Sequence, residues 1–356
     1  MKRSAGFLTV AAVGALSLPF VWTGCTTSSA TKATNTRTQT PVPVPTNSPT
    51  PVPTNTPPVQ YVYVVGGFGT SGQVSTVYSA QLSSGGGLSS WSTTSAYPAV
   101  YNNLAQVAVG GTLFAMTGFN GGVGPLVYNS PASGGSASGW NGDVSLPVSI
   151  AETGAVVVGG NLFVIAGYTS SAVSTVYVNG ISSSGLSGSW STTASLPAAR
   201  TGMGCAASSS NYLYAGGGWN GSNMSTLYSG LVSGGAVSSW TSVGAIPVAQ
   251  SYMGVATDGT TLYIVGGTAS MSVYSATMTG SGGIGSWTTT ALPTGAINQL
   301  PGAVLYGGYL YLIGGYTSSA ISAVYSAPVT GTAVGSWVSQ SALPVPLGFI
   351  RPVVSQ

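Results

Sequence analysis

Histidine is absent from the 356 residues, and only 3% of them are Asp, Glu, Lys or Arg. Without imidazole no Ser-His-Asp triad can be assembled, and zinc loses its commonest nitrogen ligand. Two cysteines, Cys25 and Cys205, are too few for a disulfide framework. Asp143, Glu152 and Asp258 are the whole supply of carboxylates, whereas glycoside hydrolysis uses a close pair of them. Four of the six cations (Lys2, Arg3, Lys32 and Arg37) precede residue 61. Beyond it Arg200 and Arg351 face three carboxylates, a net of −1. No basic patch is available to neutralise phosphates, so nucleic acid is not an expected partner. No metal and no cofactor are expected, and the chain is expected to act as a monomer.

Glycine, by contrast, is abundant, at 54 residues. That density suits many short strands joined by tight turns, because glycine alone enters positive-φ backbone freely. The first residues read as an export leader, with Lys2 and Arg3 ahead of an apolar run from Phe7 to Trp22 and then "TGC". A Gly–Cys pair after such a run resembles the lipobox of bacterial lipoproteins. That resemblance implies a signal peptide over residues 1–24, lipid on Cys25 and an outer-membrane or cell-surface location; a periplasmic or secreted protein is the alternative. Trp22 departs from the aliphatic residue usual in a lipobox. Residues 25–60 are rich in Pro and Thr, as in "PVPVPT" and "PVPTNTPP", and are expected to be a disordered tether of polyproline II character.

From residue 61 to 356 the chain repeats with a period near 50. Trp91, Trp140, Trp190, Trp240, Trp287 and Trp337 mark it, each preceded at 12 or 13 residues by a Tyr and followed at six or seven by a Pro. Upstream of each Tyr is an apolar run ending in glycine, such as "YVYVVGG" (61–67) and "LYIVGG" (262–267). Each unit offers four short strands bounded by turn residues. A four-stranded unit this apolar must bury both faces against neighbours, which at this period predicts an all-β, six-bladed propeller. The run into Gly-Gly, then Tyr, Trp and Leu-Pro, resembles the kelch repeat in the form shared with galactose-oxidase-like propellers. Copper chemistry of the galactose oxidase kind is excluded all the same, since that metal site needs imidazole. Blades two and three depart from the Gly pair, with Thr117-Gly118 and Ala166-Gly167.

The chain enters at a second strand and leaves through "GFIRPVVSQ", which matches the innermost strands of the other blades. The C-terminus is therefore expected to supply the inner strand of blade one and close the ring. Glu152, Arg200 and Arg351 fall just before or at the start of innermost strands, near Asn103, Gln250 and Tyr252. The corresponding stretch of blade six holds Asn298 and Gln299. These residues are expected around the mouth of the central channel, with Glu152 and Arg200 as a candidate ion pair. Directly after each Gly pair stand Phe68, Phe119, Tyr168, Trp219, Thr268 and Tyr316, five of them aromatic. A polar centre ringed by aromatics suits a sugar or peptide. The expected function is an exported, non-catalytic binding propeller for a glycan, peptide or protein, with Trp219 its foremost contact. A sugar-modifying enzyme using Glu152 with Arg200 or Arg351, of mutarotase or epimerase type, and a surface-coat component are the alternatives. Asp258 in "TDGTT" reads as a turn residue, Asp143 as a solvated strand end, and Cys205 as a small buried side chain.

Overall fold

The computed structural model describes residues 59–293 and 301–355. The leader, Cys25, nearly all of the tether, and Asn298 and Gln299 lie outside these residues. The described residues form six small antiparallel sheets and contain no helix. In blade two the inner strand Ala105–Val109 pairs with Thr112–Met116, and that strand with Val127–Ser133. The same order recurs from Gly154–Val158 in blade three, Gly204–Ala207 in blade four, Gly254–Thr257 in blade five and Gly302–Tyr306 in blade six. Blade one is built from Gln60–Gly69, Gly72–Leu82 and Ser92–Thr94. Its inner strand is Val353–Val354, with Val62 opposite Val354 and Tyr63 opposite Val353.

These inner strands neighbour one another in ring order, and Val353–Val354 lies between Ala105–Val109 and Gly302–Tyr306. The ring is therefore closed by the last residues of the chain, as the sequence predicts. Ser355 secures the closure, its N–H donating to the Tyr61 carbonyl at 2.8 Å and its Oγ accepting from Tyr61 N at 2.9 Å.

The apolar core lies between blades. Phe163, Ile165 and Val176 of blade three pack on Leu213 and Ala215 of blade four, and comparable clusters fill the other five junctions. The repeat tryptophans stitch the rim. Each Nε1–H donates to a carbonyl of the preceding blade: Trp91 to Ser341, Trp140 to Ser95, Trp190 to Val144, Trp240 to Ala194, Trp287 to Ala245 and Trp337 to Ala291, at 2.8–3.1 Å. A half-buried indole thus packs at a junction and satisfies a carbonyl across it.

The Gly pair follows from backbone geometry. Its first member is left-handed in every blade, and Thr117 (φ 57°) and Ala166 (φ 50°) adopt that conformation too. Its second member, Gly67, Gly118, Gly167, Gly218, Gly267 or Gly315, has φ between 97° and 129°, where a Cβ is not tolerated. The departures in blades two and three fall only where a side chain can be strained into place.

Candidate functional site at the channel mouth

Between each Leu-Pro-type proline and the inner strand runs a short approach segment, and its register decides what faces the mouth. The third residue after the proline is buried between blades. Its carbonyl accepts from the second Gly of the preceding blade in the Gly67–Tyr101, Gly167–Arg200, Gly218–Gln250 and Gly315–Leu347 pairs, at 2.7–3.0 Å. The fifth residue is left-handed: Asn103, Glu152, Gly202, Tyr252 and Phe349, with φ between 53° and 58°. Several of these are hydrogen-bonded around the axis, Asn103 N to Phe349 O, Gly202 N to Glu152 O and Tyr252 N to Gly202 O. A left-handed Glu, Tyr or Phe is strained by on the order of 1 kcal/mol. The same turn recurs with Asn, Glu, Gly, Tyr and Phe, so the strain belongs to the repeat geometry, which sets whatever side chain each blade carries beside the opening.

Glu152 is the centre of that opening. Its Oε2 accepts from Thr201 Oγ1 at 2.5 Å and from Tyr252 Oη at 2.6 Å, so it is held by blades four and five. Oε1 accepts nothing from the described residues and is not buried. Tyr252 reaches Glu152 from two blades away because Gly202 stands between them without a side chain. A Cβ there would come within 2.8 Å of the Tyr252 ring. Burial, then the neighbouring carboxylate, raises the Tyr252 pKa, so the phenol stays protonated and donates.

Beneath this ring lies an axial cavity of about 100 Å³, lined among others by Gln106, Met203, Cys205, Met253 and Arg351. Arg351 Nη1 donates to Thr153 O at 2.8 Å. Burial lowers the guanidinium pKa, opposed by the nearby Cys205, Glu152 and Tyr252; an arginine nonetheless keeps its charge. Burial pushes the Cys205 thiol up to about 12, opposed by Arg351 and Arg200, which disfavours the thiolate; the side chain is half-buried on the cavity wall, not fully buried as the sequence suggests. Beyond the cavity the channel widens toward the opposite face into a vestibule of about 530 Å³ bounded by Val107, Val156, Ala206 and Leu305.

The residues after the Gly pairs do encircle the mouth. Phe68, Phe119, Tyr168 and Trp219 pair through their backbones with Gly348, Asn102, Ala151 and Thr201 of the approach segments. Trp219 is 42% exposed, and Phe68, Phe119, Tyr168 and Tyr316 are half-buried. Phe349, which the repeat pattern did not single out, completes an aromatic cluster. Its ring lies 6.1 Å from Phe68, edge-on, and 5.3 Å from Tyr316. The ring order puts this cluster across the mouth from Trp219 in blade four.

Other expectations need correction. Arg200 is fully buried, bonded to Gly217 O at 2.9 Å and Thr226 O at 3.1 Å, with its guanidinium 4.8 Å above the Tyr228 ring. It is third after its proline, so it points between blades, and it forms no ion pair with Glu152. Gln250 occupies the same register in blade five and is also fully buried, not at the mouth. Asn103 is at the mouth ring but only 4% exposed. Asp143 is no mere solvated strand end, since its Oδ2 accepts from Asn129 Nδ2 at 2.7 Å and from Leu186 N of blade three at 3.0 Å. Asp258 caps its turn as expected, accepting from Thr260 N, Thr260 Oγ1 and Thr261 N. Burial raises its pKa, but these donors outweigh that and hold the carboxyl below its ordinary value.

No family model matches the chain, and no curated protein sequence matches it. Solved structures do match. One, described as the structure of YjhT, superposes with a TM-score of 0.57 at 14% identity, covering 71% of this chain and 87% of that one. At that identity the likeness speaks for the fold alone, a six-bladed β-propeller, which the sheet order and ring closure display independently.

Proposed function

We propose that the protein is a non-catalytic glycan-binding propeller whose ligand rests on the channel mouth. The observation that carries this reading is Glu152, with one oxygen fixed by Thr201 and Tyr252 and the other left to a ligand. A carboxylate so held accepts sugar hydroxyls without reorganising, while Trp219 and the Phe349 cluster offer faces to the apolar side of a pyranose. The carboxylate distribution favours binding over hydrolysis. Asp258 sits in the inner hairpin turn away from the mouth and Asp143 clamps a blade junction, so Glu152 has no acidic partner. The leader and Pro-rich stretch support display of this mouth outside the cytoplasm, tethered through Cys25.

A combined glycan and peptide array tests the proposal. Glycan hits are expected that Trp219→Ala and Glu152→Gln each weaken by about tenfold, the usual effect of losing a stacked ring or a charge-assisted bond. Hits confined to peptides, or glycan hits indifferent to both substitutions, overturn it. One observation favours an enzyme instead: the Tyr252 hydroxyl donates directly to Glu152, an arrangement through which a proton can pass. Turnover of a free sugar that Glu152→Gln abolishes is the result that reading requires.

A further inference from the structure

We propose that the mouth selects amino sugars whose nitrogen is unacetylated, seating the ammonium between Glu152 Oε1 and the aromatic faces around it. This rests on the mouth being the glycan site, and it specifies which glycans. The first support is the distribution of charge. The described residues hold two cations, and neither offers a free edge to the opening. Arg200 is fully buried between blades. Arg351 spends Nη1 on Thr153 O, and its Nε and Nη2 are enclosed. Asp143 is committed to Asn129 and Leu186, and Asp258 to its own hairpin turn. Among the described residues, Glu152 is therefore the one charge that a ligand at the mouth can touch.

The second support is the kind of partner Glu152 already has. Thr201 Oγ1 and Tyr252 Oη both donate to Oε2, and both are neutral hydroxyls. They orient the carboxylate without cancelling its charge. Arg351 attracts Glu152 through space, but no hydrogen bond joins the two among the described residues. Oε1 is thus a charged acceptor without a donor, and it is not buried. A hydroxyl can fill that position, but an ammonium fills it with a charge-assisted bond about twice as strong.

The third support is the aromatic surround, which the backbone registers on this carboxylate. Tyr168 exchanges both main-chain hydrogen bonds with Ala151, the residue before Glu152, at 2.8 and 2.9 Å. Trp219 exchanges both with Thr201, whose hydroxyl holds Oε2, at 2.9 and 3.0 Å. The aromatic residues of blades three and four are thereby neighbours of the carboxylate and of its clamp. Tyr168 is also close enough to Tyr252 to influence its ionisation. Aromatic faces carry a negative potential that attracts an ammonium, Trp most strongly, and gives a carboxylate nothing. Trp219 is the most exposed ring of the set. Acetylating the sugar nitrogen removes its charge, and with it both attractions.

The test compares methyl β-glucosaminide, its N-acetyl form and methyl β-glucoside on the intact protein, with methylammonium as a minimal probe. Calorimetry at about pH 6, where an amine of this kind is charged, gives the affinities. The carbon-13 resonance of the Glu152 carboxylate reports on the seat directly. The glucosaminide is expected to bind about tenfold more tightly than either neutral glycoside, as a charge-assisted bond and a cation over a ring provide. Added salt should narrow that margin, and Glu152→Gln should bring the glucosaminide down to the glucoside. Equal binding of glucosaminide and glucoside by the wild-type protein overturns the inference and leaves the glycan reading standing. A margin that survives Glu152→Gln overturns it too. So does a bound glucosaminide that leaves the Glu152 resonance unmoved, a result that needs no variant to fold. If no glycoside binds while methylammonium moves that resonance, the glycan reading falls and only the ammonium seat stands. If methylammonium also leaves it unmoved, both fall.

Discussion

Gly202 shows how much a missing side chain can do. In the left-handed ring around the mouth it is the one described member with nothing beyond Cα, and the Tyr252 ring fills that gap to reach Glu152. Gly202→Ala is expected to destabilise the fold by about 1 kcal/mol through its positive φ. It should also push Tyr252 off the carboxylate. Denaturant titration measures the first effect, and loss of glycan binding comparable to Tyr252→Phe measures the second; a variant with unchanged stability and binding sinks the account. Glu152 was visible in the sequence because a lone charge at a fixed distance from the repeat proline is conspicuous. Phe349 was not, because within "LGFIRP" it is simply one more apolar residue in the closing segment. Only its left-handed backbone and its contacts with Phe68 and Tyr316 distinguish it.

At the scale of elements, the Tyr, Trp and Pro rhythm carried the blade count and the strand order, since each recurrence reflects one contact made in every blade. The indole bond to the preceding blade is that contact for Trp. Trp240→Phe keeps most of the packing and removes the bond to Ala194 O, so a loss of about 1 kcal/mol is expected. Trp240→Ala opens the junction as well and should cost on the order of 3 kcal/mol. Shifts in the urea midpoint report both, and a Phe variant as damaged as the Ala variant refutes the latch. Spacing was a poorer guide to the arginines. Arg200 and Arg351 both lie close after a repeat proline, yet the left-handed residue between those two positions turns the chain. One side chain is sent into the junction between blades and the other toward the axis. A linear pattern does not encode that turn, because Asn, Glu, Gly, Tyr and Phe all occupy it here.

For the whole molecule, closure is the decisive event. Removing residues 347–356 takes away buried Leu347 and Ile350 and strips Val62 and Tyr63 of their partners, leaving an apolar sheet edge. Such a truncation is expected to aggregate or unfold, as seen by size-exclusion chromatography and thermal denaturation. A monomeric truncation melting with the parent refutes it. The same ten residues also deliver Phe349 to the mouth and Arg351 to the axis. During synthesis, therefore, every blade but the first can be complete while the mouth still lacks one of its aromatic rings and the axis its arginine, so joining the ring and furnishing its opening are one and the same event.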